Sequence, residues 1–216
     1  MLALPAHGFV MLSLPKSAST SMVRAIAGQA EMVLRVNPRL KHINCSQFHE
    51  LIVPVLRKGG YRRSDYEVVS LLREPVEWLE SWWRYRRRPA LLEENARRYT
   101  GEQTFEEFTL AYLDRRQQVR GRPARFVALG DDLTVGVDRL FQLERPDVWQ
   151  GWLAEKLGKP IDIGTDNVST ERRPPELTAA TRARLEEHFA PEYDLYAHVR
   201  ETGQWAPPRG YVPLRG

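Results

Sequence analysis

The chain has a single cysteine, no long apolar run, no internal repeat and no low-complexity block. With Cys45 alone, an intramolecular disulfide and a multi-cysteine metal centre are both excluded, and a reducing compartment, the cytoplasm, is the expected location. A membrane-spanning helix needs roughly 18 consecutive apolar residues. Nothing of that kind occurs, and the mean hydropathy is −0.49. The N-terminal stretch MLALPAHGFVML is apolar but lacks the basic residues that lead a signal peptide, and it contains Pro5 and His7. It reads as a mature first strand.

What remains is ordinary in bulk: 216 residues, 42% hydrophobic and 28% charged, enough for one domain spanning 1–216. Residues 203–216, rich in Gly, Pro and Arg, read as an extended tail. The net charge is +4 and most of the cations are arginine. Their densest run is Trp82-Trp83-Arg84-Tyr85-Arg86-Arg87-Arg88, whose default reading is a solvated face, with Trp83 and Arg84–Arg88 as an acceptor wall or a patch for an acidic substrate as the functional one.

Residues 8–14 (GFVMLSL) and 67–72 (EVVSLL) are continuously apolar, as buried strands are. A helix is expected from about Ser19 to Ala30, another over 44–58, and a third opened by Glu74-Pro75 and running to about Arg87. Helices also follow Thr104, cover 147–157 and cover 178–189, while 125–129 (RFVAL) and 139–143 (RLFQL) are short strand candidates. Strands alternating with helices predict an α/β domain with a central, mostly parallel sheet flanked by helices. Ligands of such sheets bind at the carboxyl ends of the strands.

After the first apolar strand comes Pro15-Lys16-Ser17-Ala18-Ser19-Thr20-Ser21. A helix N-cap needs one hydroxyl. A lysine with four hydroxyls in six residues, at a helix N-terminus, suits an anion instead. It is not a Walker A loop, because Val10 and Pro15 stand where that motif requires glycine. At the second strand end stands Arg73, with Ser81 about two helical turns further on. The pair could clamp a second phosphate; the alternative is Arg73 paired with Glu74 or Glu77 at the surface. Two anion sites at neighbouring strand ends fit a ligand with two separate phosphate groups.

These segments resemble the PAPS-dependent sulfotransferases. Pro15–Ser21 is similar to that family's 5′-phosphosulfate loop, and Arg73-Glu74-Pro75 with Ser81 to its 3′-phosphate motif. The likeness extends in weaker form to Phe141–Glu144, Asn167–Ser169 and Glu192–Tyr196. The resemblance implies a P-loop-like three-layer fold and the donor 3′-phosphoadenosine-5′-phosphosulfate (PAPS, leaving PAP). It implies transfer of a sulfuryl group to a hydroxyl or amine of a small-molecule or carbohydrate acceptor, with lipid and peptide acceptors also open. No nucleic acid is expected as partner, and oligomeric state is unread. By matching positions, Lys16, Ser17, Ala18, Ser19, Thr20 and Ser21 would hold the phosphosulfate, Arg73 and Ser81 the 3′-phosphate, and Arg172 would cover the donor. Ala18 departs from the family, which has glycine there; a methyl fits a negative φ.

An acceptor hydroxyl also needs a base, for which histidine is suited near neutral pH. Of His7, His42, His49, His188 and His198, the choice is His42, because the family's base often comes from a Lys-His pair before the second helix. His49 is second, and carboxylates such as Glu50 stay open. No metal is expected. The rival readings are a small-molecule kinase, a non-catalytic PAP or nucleotide binder, and a nucleic-acid binder acting through Trp82–Arg88.

Overall fold

Two of the strands turn back on each other at the very start of the chain. In the computed structural model, which describes residues 1–130, 133–161, 163 and 176–199, β1 (Leu2–Leu4) and β2 (Phe9–Leu12) pair antiparallel across a short turn. Gly8, at φ +76, supplies the left-handed residue that closes this turn. β3 (Met32–Val33) pairs antiparallel with β1, whereas β2 runs parallel to β4 (Glu67–Leu72), and β4 parallel to β7 (Arg139–Gln142). The sheet order is β3-β1-β2-β4-β7. β5 (Ala128–Leu129) and β6 (Thr134–Val135) form a separate ribbon.

The expectation of a P-loop-like layout on a mostly parallel central sheet is therefore corrected. The fold is α/β, but the five-stranded sheet is mixed, with two parallel and two antiparallel pairs. A continuously apolar strand reports burial on both faces, not the direction of its neighbour. Direction follows from the connection, and a short turn permits only an antiparallel return. MLALPAHGFVML is thus two strands, not one.

The helices are α1 (Ser19–Ile26), α2 (Pro38–Lys41), α3 (Cys45–Gln47), α4 (Val53–Lys58), α5 (Pro75–Arg86), α6 (Ala90–Asn95), α7 (Phe105–Leu113), α8 (Pro123–Val127), α9 (Pro146–Leu157), α10 (Ala179–His188) and α11 (Ala190–Val199). A π-helical turn, Phe48–Ile52, joins α3 to α4. The RFVAL segment is mostly α8 rather than a strand. Pro123 starts that helix, and the Arg122–Glu192 ion pair anchors it to α11. A short apolar run alone does not separate strand from helix.

Side chains alternate across the strands. Phe9, Met11, Val69, Leu71 and Phe141 meet α1 and α9 on one face. Val10, Leu12, Val68, Leu72 and Leu140 meet α8, α11 and the Cys45–Leu56 region on the other. A third cluster joins Trp78, Leu79 and Trp83 of α5 to Phe105 and Phe108 of α7 and to Leu185 and Phe189. α5 is held on that side, which leaves its Trp82–Tyr85 face toward the loop after β2. Among the described residues, no helix is long and apolar enough to cross a membrane.

Candidate anion-binding site

The loop after β2 folds through two left-handed residues, Lys16 at φ 67 and Ala18 at φ 52. The Ser17 amide donates to Leu14 O at 3.3 Å, and Met22 N donates to Ala18 O at 3.0 Å to begin α1. No side chain caps this helix, although its first turn is Ser19-Thr20-Ser21. The first-turn amides therefore point into the loop without a side-chain partner, as in an anion cradle. Ser17 is buried, and its hydroxyl has no hydrogen-bond partner.

Ala18 thus holds a positive φ, not the negative one a methyl prefers. An L-residue there costs about 1–2 kcal/mol. Ala18→Gly is expected to stabilise the fold by about 1 kcal/mol in urea unfolding, less the extra entropy glycine has in the unfolded chain. A loss of stability would show that the loop is not left-handed at that position.

Two contacts fix the loop from outside. Trp78 Nε1 on α5 donates to Pro15 O at 3.0 Å. Gly121 lies so close to Pro15 that an added Cβ would sit 2.5 Å from its Cγ. Lys16 reaches α5 as well: its Nζ stands 3.5 Å from the centroid of Tyr85 and 4.8 Å from that of Trp82. Burial, then the charges of Arg88, Arg73, Lys41 and Arg86, pull the Lys16 ammonium down to about 7. Burial is the larger cause of this shift, and the nearby cations add to it.

Arg73 follows β4 directly, one strand over from the loop. Its Nε is buried without a hydrogen-bond partner, while its charge acts on the nearby Glu77 and Glu144 carboxylates. Glu74, the N-cap of α5, accepts from Glu77 N and from the Tyr193 hydroxyl at 2.8 Å, and its own amide donates to Glu144 at 3.1 Å. The Tyr196 hydroxyl donates to the same Glu144. α11 thereby ties down the chain on which Arg73 sits. Ser81 is half-buried on α5, at helical spacing from Trp78, which bonds Pro15, and from Tyr85, which meets Lys16.

His42 ends α2 and turns back to β2. Its Nδ1 lies 2.7 Å from Ser13 O. A carbonyl can only accept, so Nδ1 carries the proton and Nε2 keeps a basic lone pair. Burial, Lys41, the Met1 amine and Lys16 lower its pKa, partly offset by the Ser13 bond, so the ring is neutral at pH 7. The neighbouring Lys41 Nζ donates to Thr20 Oγ1 at 3.2 Å.

The structure thus brings Lys16, Ser17, Ala18, Ser19, Thr20, Ser21, Arg73 and His42 to the carboxyl ends of β2 and β4. His49 lies elsewhere. Its electrostatic neighbours Arg63 and Asp138 mark the amino end of β4, where Asp138 accepts from Val68 N. His188 faces Tyr112, and His198 faces Asp194 within α11. Arg172 and Asn167–Ser169 lie outside the described residues, as does the 203–216 tail. The Trp82–Arg88 run forms no single surface. Arg84 pairs with Glu80, Arg86 is buried against the carbonyls of Arg98 and Gln118, and Arg87 donates to Gly101 O.

Reading the sequence alone missed Gly121, the contacts of Lys16 with Trp82 and Tyr85, the Lys41–Thr20 bond, and the Glu74–Tyr193 and Glu144–Tyr196 ties. An aromatic stripe at i, i+3 and i+4 signals packing, and nothing in its spacing says that one edge of the stripe meets a lysine. No protein-family model, no curated protein and no solved structure matches the chain.

Proposed function

We propose that the chain is a sulfotransferase that takes PAPS at the loop after β2 and transfers its sulfuryl group to an acceptor hydroxyl or amine. One observation carries this reading. At the ends of two adjacent parallel strands, the Ser17 hydroxyl and the Arg73 Nε are both buried without partners, with a charge-crowded Lys16 beside them. Nine buried side-chain polar atoms lack a partner among the described residues, and two of them, both donors, fall together at this strand-end site, which suits a ligand that supplies acceptors. A ligand with two separated anionic groups does so at both.

The donor supplies a sulfuryl group linked through oxygen to its 5′-phosphate. Lys16, the Ser17 hydroxyl and the first-turn amides of α1 offset the charge that gathers on that bridging oxygen as its bond to sulfur breaks. Arg73 and Ser81 hold the 3′-phosphate and so set the donor's register. His42 Nε2 accepts the proton of the acceptor hydroxyl as its oxygen bonds to sulfur, and the bond's electron pair leaves with PAP. The acceptor is a small molecule or a carbohydrate, or a lipid-borne hydroxyl if the inference below holds. Cys45 takes no part: it is buried, and burial pushes its thiol up to about 12. A reducing compartment such as the cytoplasm fits a thiol kept free.

Calorimetric titration with PAP and with ATP tests the assignment. PAP is expected to bind without added magnesium, and more tightly than ATP with it. Tighter ATP binding accompanied by magnesium-dependent ATP turnover would overturn it in favour of a kinase.

A further inference from the structure

We propose that residues 35–41, the lip beside this site, dock the protein on an anionic lipid surface. The docking is independent of the sulfotransferase reading, while its consequence, that acceptor hydroxyls are met at the lipid interface, rests on that reading.

The lip is Arg35-Val36-Asn37-Pro38-Arg39-Leu40-Lys41. Val36 is 86% exposed and Leu40 49%, Val36 being the most exposed large apolar side chain among the described residues. The segment is not loose. Asn37 Oδ1 accepts from Arg39 N at 2.9 Å, and the lip's two feet are tied by bonds from Met1 N to Leu34 O at 3.0 Å and to Lys41 O at 2.8 Å. Apolar side chains are therefore held out in water by a rigid turn.

The charges of the segment itself are all of one sign. Arg35 and Arg39 are exposed and form no ion pair among the described residues, and no Asp or Glu occurs between Met32 and His49. An apolar tip with cations at its base matches the interface of a bilayer, with the tip at the headgroup–acyl boundary and the cations at the phosphates. Other occupants fit less well. Two protruding side chains cannot supply the roughly 800 Å² per partner of a stable dimer, and two cationic lips repel. A single-stranded nucleic acid would want stacking rings, and the lip has no Phe, Tyr or Trp.

The lip is also continuous with the site. Lys41 reaches Thr20 of the loop, and His42 follows it in sequence. A surface bound at the lip lies against the entrance where an acceptor would meet His42.

Co-sedimentation with vesicles of phosphatidylcholine, and of phosphatidylcholine mixed with phosphatidylglycerol, tests the proposal. The full chain should bind the anionic vesicles only, and less so as salt rises. Each of Arg35→Gln and Arg39→Gln should weaken partitioning by about five-fold, and Val36→Ser should weaken it further. Thermal melts confirm that the variants fold, and PAP titration of the same proteins should be unchanged. Binding to neither vesicle, equal binding to both, or undiminished binding of the variant carrying both Arg35→Gln and Arg39→Gln would overturn docking. So would an oligonucleotide bound as tightly as the anionic vesicles, or a dimer broken by Val36→Ser. PAP binding is scored separately, so either proposal can fail while the other stands.

Discussion

Replacing Lys16 with alanine is expected to lower sulfuryl transfer by about a hundred- to a thousand-fold, the usual loss when one preorganised donor to a developing oxyanion is removed. The structure adds a proton to this prediction. The Lys16 ammonium is drawn down to about 7 by burial and by Arg88, Arg73, Lys41 and Arg86. An anion on the loop favours the charged form. Below pH 7 Lys16 is already charged and binding takes up no proton at it. Above pH 7 the free amine is mostly neutral, so binding draws a proton in, and affinity falls by up to about ten-fold per pH unit. Calorimetry at pH 8, in two buffers of different ionisation enthalpy, should record uptake of about one proton per PAP bound. Lys16→Ala should abolish that uptake. Uptake that persists in Lys16→Ala would assign the proton to another group and sink this part of the account.

The second large effect belongs to His42. His42→Ala should reduce kcat by about a hundred- to ten-thousand-fold, the range for loss of a general base, and leave PAP affinity unchanged. The Ser13 carbonyl fixes the proton on Nδ1, and burial with nearby cations keeps the ring neutral into mildly acidic pH. The sign follows directly. Because the pKa is lowered from the ordinary 6.5, the acid limb of the rate profile should fall below pH 6.5, with activity lost as Nε2 becomes protonated. Full turnover in His42→Ala, with an acceptor the parent protein uses, would remove His42 from the mechanism. An acid limb surviving unchanged in that variant would do the same.

Much of the site was legible because it is local. The apolar strands β2 and β4 announce where they end, and the residue types directly after them, Lys16 with its hydroxyls and Arg73, are what anions require. Glu74-Pro75 marks the start of α5, and α9 ends at Leu157, where the pattern put it, on a left-handed Gly158. What stayed hidden depends on contacts distant in sequence. Nothing near Pro15 says that Trp78 donates to it or that Gly121 must lack a side chain beside it. The hairpin of β1 and β2 was hidden differently. Its residues are apolar enough to read as one strand, and only the Pro5–Gly8 turn reverses the chain.

The same locality explains the histidines. His42 and His49 stand seven positions apart, and both fall near helical segments. Only the fold separates them: His42 turns back onto Ser13 at the carboxyl end of β2, while His49 lies on a π-helical turn near Arg63 and Asp138. Ala18 was read as tolerable with a negative φ. It takes φ 52, in the left-handed region, at the N-cap of α1.

The central claim is a grip on two phosphates, with Arg73 holding the second. A thermodynamic cycle isolates it: PAP and 5′-AMP, which lacks only the 3′-phosphate, titrated into the parent protein and into Arg73→Gln. The account predicts that losing the phosphate or losing the guanidinium each weakens binding by about ten- to a hundred-fold, and that losing both costs little more than losing one, a coupling of about 1.5–3 kcal/mol. Equal affinity for PAP and 5′-AMP in the parent protein, or losses that simply add, would contradict it.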